Sequence, residues 1–130
     1  MLVKTFAAAV QGISATIITI EVNCSKGIQF FLVGLPDVAV RESHERIISA
    51  LQESGYKFPR SRIVINMAPA DIRKEGSAYD LPLAIGILAG AEMISSEKLS
   101  QYMLMGELSL DGTLKPIKGV LPIAIKAREA

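Results

Sequence analysis

Apolar and β-branched residues dominate the first third of the chain and predict β-strands. Residues 16–22 are β-branched at almost every position, which favours a pleated, half-buried surface. Two further apolar runs, at residues 2–10 and 28–33, lie on either side of this segment. Gly12 and Gly27 mark the turns between the runs, so the simplest topology is a three-stranded antiparallel meander.

Helical spacing begins after the third predicted strand. Five residues share one face at the period of an α-helix, and they are Val40, His44, Ile47, Ile48 and Leu51. Asp37 suits the start of this helix, and Gly55 suits its end. A second helix is predicted over residues 80–94. It is apolar nearly all round, so we expect it to be buried.

Shorter elements complete the pattern. The apolar run at residues 62–67 predicts a strand that is covered on both faces and is therefore central in the sheet. Strands are also expected at residues 102–105 and 113–115, on either side of a tight turn at Asp111. A last helix begins near Gly119 and has no stop signal, so we interpret residues 1–130 as one domain cut from a longer protein.

Composition narrows the class of protein. Half of the residues are hydrophobic and the formal net charge is +1, so the chain is neither disordered nor strongly basic. The single cysteine, Cys24, excludes an internal disulfide, and no Cys/His set suits a structural zinc site. No apolar run reaches the roughly 18 residues that cross a bilayer. We therefore expect a cytoplasmic domain without a membrane partner.

The polar loop before the second predicted helix carries the first candidate chemistry. Ser77 precedes a helix N-terminus, where backbone N–H groups could support an oxyanion. A serine nucleophile also needs a desolvated base, which Lys74 or Lys118 could supply. The alternative is structural, with Gly76 forming a turn and Ser77 or Asp80 capping the helix.

Signals for a bound cofactor or metal are weak in this sequence. A phosphate loop needs two glycines flanking four residues, followed by Lys and Ser or Thr, and no segment fits this pattern. Asp71, Glu75 and Asp80 are the only acidic group that could suggest a metal, and capping or solvent-facing roles explain them more simply. We expect neither a cofactor nor a metal in these 130 residues.

A modest cluster of basic residues is the second candidate site. Residues 57–74 contain five cations against one acid, and Arg60, Arg62, Arg73 and Lys74 are the candidates for contact with nucleic-acid phosphates. Few aromatic residues lie among them, so stacking on single-stranded bases has little support in the sequence. A solvated face or a contact with another domain explains the same pattern.

Four motifs carry a resemblance to known families. Residues 106–119, which read Gly-Glu-Leu-Ser-Leu-Asp-Gly-Thr-Leu-Lys-Pro-Ile-Lys-Gly, resemble a segment of Lon-type proteases. Residues 34–43, 66–71 and 74–82 look like the N-terminal domain of the YifB/ComM family. They read Gly-Leu-Pro-Asp-Val-Ala-Val-Arg-Glu-Ser, Asn-Met-Ala-Pro-Ala-Asp and Lys-Glu-Gly-x-x-x-Asp-Leu-Pro. Members of this family are AAA+ ATPases related to magnesium chelatase.

The resemblance implies both a fold and a function. It implies an α/β (α+β) domain of the Lon-protease-like, ribosomal-protein-domain-2-like fold, with helices packed on a mixed sheet after the N-terminal meander. A downstream AAA+ module would follow, binding ATP and Mg²⁺ and forming a homo-hexamer. Relatives act as helicases in DNA branch migration during natural transformation, so DNA and the AAA+ module are the implied partners.

The resemblance to Lon-type proteases also bears on catalysis. In register, the serine nucleophile of those proteases falls on Ala78 and their lysine base falls on Leu121. Neither side chain can perform the chemistry, so we expect a non-catalytic module that supports ring assembly, DNA contact or both. The alternative is a diverged Ser–Lys peptidase that uses Ser77 with Lys118 or Lys74.

Overall fold

The computed structural model describes all 130 residues and contains six strands and four α-helices. The strands are β1 Leu2–Gln11, β2 Ser14–Ser25, β3 Phe30–Val33, β4 Arg62–Ala68, β5 Glu107–Leu108 and β6 Leu114–Lys115. The helices are α1 Val38–Arg41, α2 Ser43–Glu53, α3 Asp80–Gly90 and α4 Val120–Glu129, with a 3₁₀ turn at Leu99–Gln101. The prediction of a mixed α/β domain is confirmed.

The main sheet has four strands in the order β1-β2-β4-β3. The pairs β1–β2 and β2–β4 are antiparallel, whereas β3 and β4 are parallel. Parallel neighbours need a crossover connection, and the segment that contains α1 and α2 provides it. The sheet is therefore mixed, as predicted from the sequence.

The predicted three-stranded meander is wrong in its third strand, because β4 lies between β2 and β3. Along β4, Ile63, Ile65 and Met67 are fully buried, which suits a strand that is paired on both edges. Phe31 and Val33 of β3 stay about half exposed, as an edge strand allows. The central position predicted for residues 62–67 is confirmed, although only one face of β4 is fully covered.

One face of the sheet packs against α2 and α3 and forms the core. Nine of the eleven residues of α3 are buried, as its uniformly apolar sequence predicts. Gly86 allows the close approach of α3 to β2, because a Cβ atom there would lie 2.7 Å from Cγ2 of Val22. The small residues of this helix therefore serve packing, as their position in a buried helix suggests.

The C-terminal third covers the end of the β1–β2 hairpin and the free edge of β1. Helix α4 contacts β1 and β2 and buries Ile123. Residues 102–105 were expected to form a strand but do not, although the Leu104 N–H donates to the Phe6 carbonyl at 2.7 Å. The partner of β6 is instead β5. No helix has the length and apolar character to cross a membrane.

Candidate functional site

A cleft of about 340 Å³ opens beyond the Ala68 end of β4. Its walls are the end of β1, the loop before α3, and the segment that leads into α4. The residues of chemical interest that line it are Glu75, Ser77, Ala78, Glu107 and Lys118. The structure therefore brings together the serine and one of the two lysines that the sequence suggested, and it adds Glu107.

Asp37 fixes the loop that forms one wall of the cleft. Its Oδ1 accepts from the Val40 N–H at 2.8 Å, which caps α1, and its Oδ2 accepts from the Gly76 N–H at 3.0 Å. The Asp37 N–H donates to the Lys74 carbonyl at 2.9 Å. Gly76 has φ +88°, a conformation that glycine adopts without strain. These contacts set the position of Ser77.

A buried polar network connects the start of α3 to β5. The Asp80 carboxylate is fully buried and accepts from Arg46 Nε at 2.7 Å and Arg46 Nη2 at 2.9 Å. It also accepts from Ser43 Oγ at 2.5 Å and from the Leu108 N–H at 3.0 Å. The hydrogen bond that Arg46 donates to Asp80 raises the pKa of its guanidinium. Asp80 thus ties the start of α3 to β5, the strand that contains Glu107.

The Ser77 side chain is bound to a carboxylate within the cleft. Its hydroxyl donates to Oε1 of Glu107, and this is the one hydrogen bond that the side chain makes. Lys118 lines the same cleft but is exposed. Glu107 follows Gly106 at the start of the 106–119 motif, but no role of its own was predicted for it from the sequence.

Lys74 does not reach the cleft. It is fully buried and its Nζ donates to the Pro69 carbonyl. Burial lowers the pKa of Lys74, while Asp71 acts in the opposite direction. The structure therefore places the Lys74 ammonium inside the protein, where it presents no exposed charge to a nucleic-acid phosphate. The polar sequence around Lys74 suggested exposure, but its backbone pairs with Leu35 and Asp37 and its side chain turns towards Pro69 in the loop after β4.

The two positions matched to the Lon dyad differ in location. Ala78 lines the cleft beside Ser77. Leu121 is on α4, is 71% exposed and does not line the cleft.

Tyr79 also lines the cleft. Burial raises the pKa of its phenol to about 12, so the phenol stays protonated and donates to the Ala8 carbonyl at 3.2 Å.

The basic candidates do not form one surface. Arg60 and Arg62 are exposed at the start of β4, whereas Arg73 lies beyond the other end of this seven-residue strand. A strand of this length spans about 20 Å at 3.3 Å per residue. Arg73 also forms an ion pair with Glu75 at 3.3 Å. The sequence cluster therefore separates in space into two groups.

The cysteine and the histidine have structural surroundings. Cys24 is buried in the core, where burial raises the pKa of its thiol. His44 stacks on Phe30 with ring centroids 3.8 Å apart, and Phe58 packs against it at 5.4 Å. Burial lowers the pKa of His44. It therefore lies at the edge of the core, as its place on the apolar stripe of α2 predicts.

The acidic residues considered for a metal are not grouped in the structure. The sequence has no phosphate-binding loop, and no three His, Cys, Asp or Glu side chains are grouped to hold a metal ion. Asp80, one of the acidic residues considered for a metal, directs its carboxylate to Arg46 and Ser43 instead.

Fold and cleft together define an α/β domain whose cleft lies between the end of β1, the loop before α3 and the segment that leads into α4. A family model for subunit ChlI of Mg-chelatase matches residues 20–130, and the chain belongs to this family. The resemblance to the YifB/ComM family found in the motifs is thereby confirmed.

Three curated relatives illustrate the similarity. The chain is 46% identical over 120 residues to the uncharacterized protein YifB of Escherichia coli, covering 92% of this chain and 24% of that protein. It is 45% identical over 123 residues to YifB of Salmonella typhimurium, covering 94% and 24%. It is 42% identical over 126 residues to the competence protein ComM of Haemophilus influenzae, covering 96% and 25%. The chain thus spans about a quarter of the length of these relatives.

Proposed function

We propose that this domain is a non-catalytic N-terminal module of a ComM/YifB-type AAA+ ATPase and supports ring assembly, DNA contact or both. The similarity to a competence protein favours a role of the whole protein in DNA branch migration during natural transformation. The module would have the Lon-protease-like fold and act in the cytoplasm. ATP, Mg²⁺ and the hexameric ring belong to this proposal through the rest of the protein.

The observation that supports the non-catalytic role is the identity of the residues at the two positions matched to the Lon dyad. Ala78 lies where the resemblance expects the nucleophile, and a methyl group cannot attack a carbonyl. Leu121, matched to the lysine base, lies outside the cleft and can take no proton. The cleft therefore lacks both groups of the expected dyad.

The competing function is a diverged peptidase, and one observation favours testing it. Ser77 and Lys118 line the same cleft. Two features oppose the assignment: the Ser77 hydroxyl is bound to Glu107, and Lys118 is exposed, whereas a lysine base must be desolvated to lose its proton. Lys74 is desolvated, but its Nζ donates to Pro69 and lies outside the cleft.

Peptide hydrolysis by the purified chain separates the two functions. We expect no cleavage of casein or of a fluorogenic peptide library above the rate of the Ser77→Ala variant. Lys118→Ala provides a second comparison, because it removes the exposed amine of the cleft. Hydrolysis that disappears in both variants would establish the peptidase and contradict the proposal.

The assembly and DNA roles are tested in the whole protein. Sedimentation velocity with ATP and DNA-binding titrations compare the intact protein with a variant that lacks residues 1–130. We expect the deletion to weaken hexamer formation, DNA binding or both. A deletion protein that equals the intact protein in both measurements would show that the domain supports neither.

A further inference from the structure

We infer that the start of β4 forms a binding surface for single-stranded DNA, an inference that rests on the DNA-contact part of the proposed function. The surface combines Arg60 and Arg62 with the exposed ring of Phe31 and with Lys26. We call the surface formed by these four residues the basic end. It lies at the opposite end of β4 from the cleft.

The charge of this region differs from that of the rest of the chain. Residues 22–36 and 54–70 contain Lys26, Lys57, Arg60 and Arg62 and no acidic residue. The other residues contain ten cations against thirteen acids. The two segments are neighbours in the sheet, since Ser25 pairs with Arg62. The small overall net charge therefore conceals a local positive region that suits a polyanion.

The two arginines of the basic end are free to bind phosphates. The ion pairs of the chain are Arg46–Asp80 and Arg73–Glu75, so neither Arg60 nor Arg62 has a carboxylate within 4.0 Å. Unpaired surface arginines release counterions when they meet nucleic-acid phosphates, and this release supplies binding free energy.

Aromatic rings flank these arginines on both faces of the edge strand β3. On the open face, Phe31 is 45% exposed and the Arg62 guanidinium carbon lies 5.4 Å from its ring centroid. On the other face, Arg60 lines a cavity of about 380 Å³ with His44 and Phe58. The negative charge of Glu45 on α2 raises the pKa of His44, in opposition to burial.

This combination favours a single strand over a duplex. Bases stack on exposed aromatic rings and on guanidinium planes, but only if their own faces are free. In a duplex the base faces are covered by neighbouring pairs, so Phe31 would gain no partner. The sequence suggested little aromatic content near the basic residues, because Phe31 is distant in sequence and adjacent only through the pairing of β3 with β4.

Fluorescence anisotropy with a labelled oligothymidine of about 20 nucleotides tests the inference with the chain itself. The dissociation constant is measured from about 50 to 200 mM salt for wild type and variants of equal thermal stability. Phe31→Leu should weaken binding about 5- to 100-fold through lost stacking, without changing the salt slope. Phe31→Trp should retain wild-type affinity.

Charge removal at the basic end should change the salt dependence. The Arg60→Ala/Arg62→Ala variant should reduce the slope of log K against log salt by about 1.4, from about 0.7 for each phosphate contact with a single strand. The matched control is Arg73→Ala/Arg128→Ala, which removes two exposed arginines elsewhere. The control should bind as wild type does.

Three results with oligothymidine would overturn the inference. They are absence of oligothymidine binding by the wild-type chain, equal weakening by the basic-end and control pairs, and a Phe31→Leu variant that binds like wild type. Equal affinity for a duplex of the same length would also contradict it. Failure here leaves the hexamer measurement on the whole protein to decide the proposed function separately.

Discussion

Replacing Arg46 with Met should destabilise the domain through the buried carboxylate of Asp80. The change leaves the fully buried Asp80 carboxylate without its cation and without two charge-assisted hydrogen bonds of 2.7 and 2.9 Å. Breaking one partner of a buried pair costs about 3–5 kcal/mol. Ser43 and the Leu108 N–H still donate to the carboxylate, so we expect the lower half of this range.

The loss of stability should be measurable by thermal and by urea unfolding. With an unfolding entropy of about 2.1 cal/mol/K per residue, a loss of about 3 kcal/mol lowers the midpoint of this 130-residue chain by about 11 °C. Arg73→Met is the control, since both partners of its ion pair are 69% exposed and such pairs contribute about 0–1 kcal/mol.

A double-mutant cycle makes the reasoning refutable. The Arg46→Met/Asp80→Leu variant should be more stable than Arg46→Met alone, because it removes the buried charge that lost its partner. A cost below about 1 kcal/mol for Arg46→Met, or a double variant that loses the sum of both single effects, would show that the pair does not act as a buried unit.

Two further predictions concern packing and pH. Gly86→Ala should cost about 1–3 kcal/mol in urea unfolding, because the new Cβ meets Val22 at 2.7 Å, and adding Val22→Ala should restore part of the loss. His44 has a pKa lowered below 6.5, so the unfolded chain binds more protons and wild-type stability should fall as pH drops through 6.5 towards the folded pKa. His44→Phe keeps a ring against Phe30 and should lack this component, and a variant with the same pH dependence would contradict the assignment.

Local pattern predicted the elements well but not all of their partners. The apolar stripe of α2 predicted a helix with one buried face. The uniform apolarity of α3 predicted a helix that is buried nearly all round. The position of β3 does not follow, since its four residues can pair with β2 or β4 equally well by composition. The choice depends on the crossover through α1 and α2, which no short segment encodes.

The candidate site was predictable only in part. Ser77 and Lys118 were singled out by residue type and do line one cleft. Lys74 was misplaced because a lysine in a polar loop is normally exposed, whereas here its amine is enclosed beside Pro69. Glu107 and Phe31 gain their neighbours from strand pairing across long stretches of sequence, so spacing alone gives no sign of either.

The two surfaces of this domain can be tested independently because β4 separates them. The cleft lies beyond Ala68 and the basic end lies at Arg62, about 20 Å away along a seven-residue strand. Substitutions that far apart, with no shared partner, act additively. A Ser77→Ala change should therefore leave oligonucleotide affinity unchanged. Because Arg62 contacts no residue of the Asp80 network, loss of DNA binding in its variants would report on the surface rather than on the cleft.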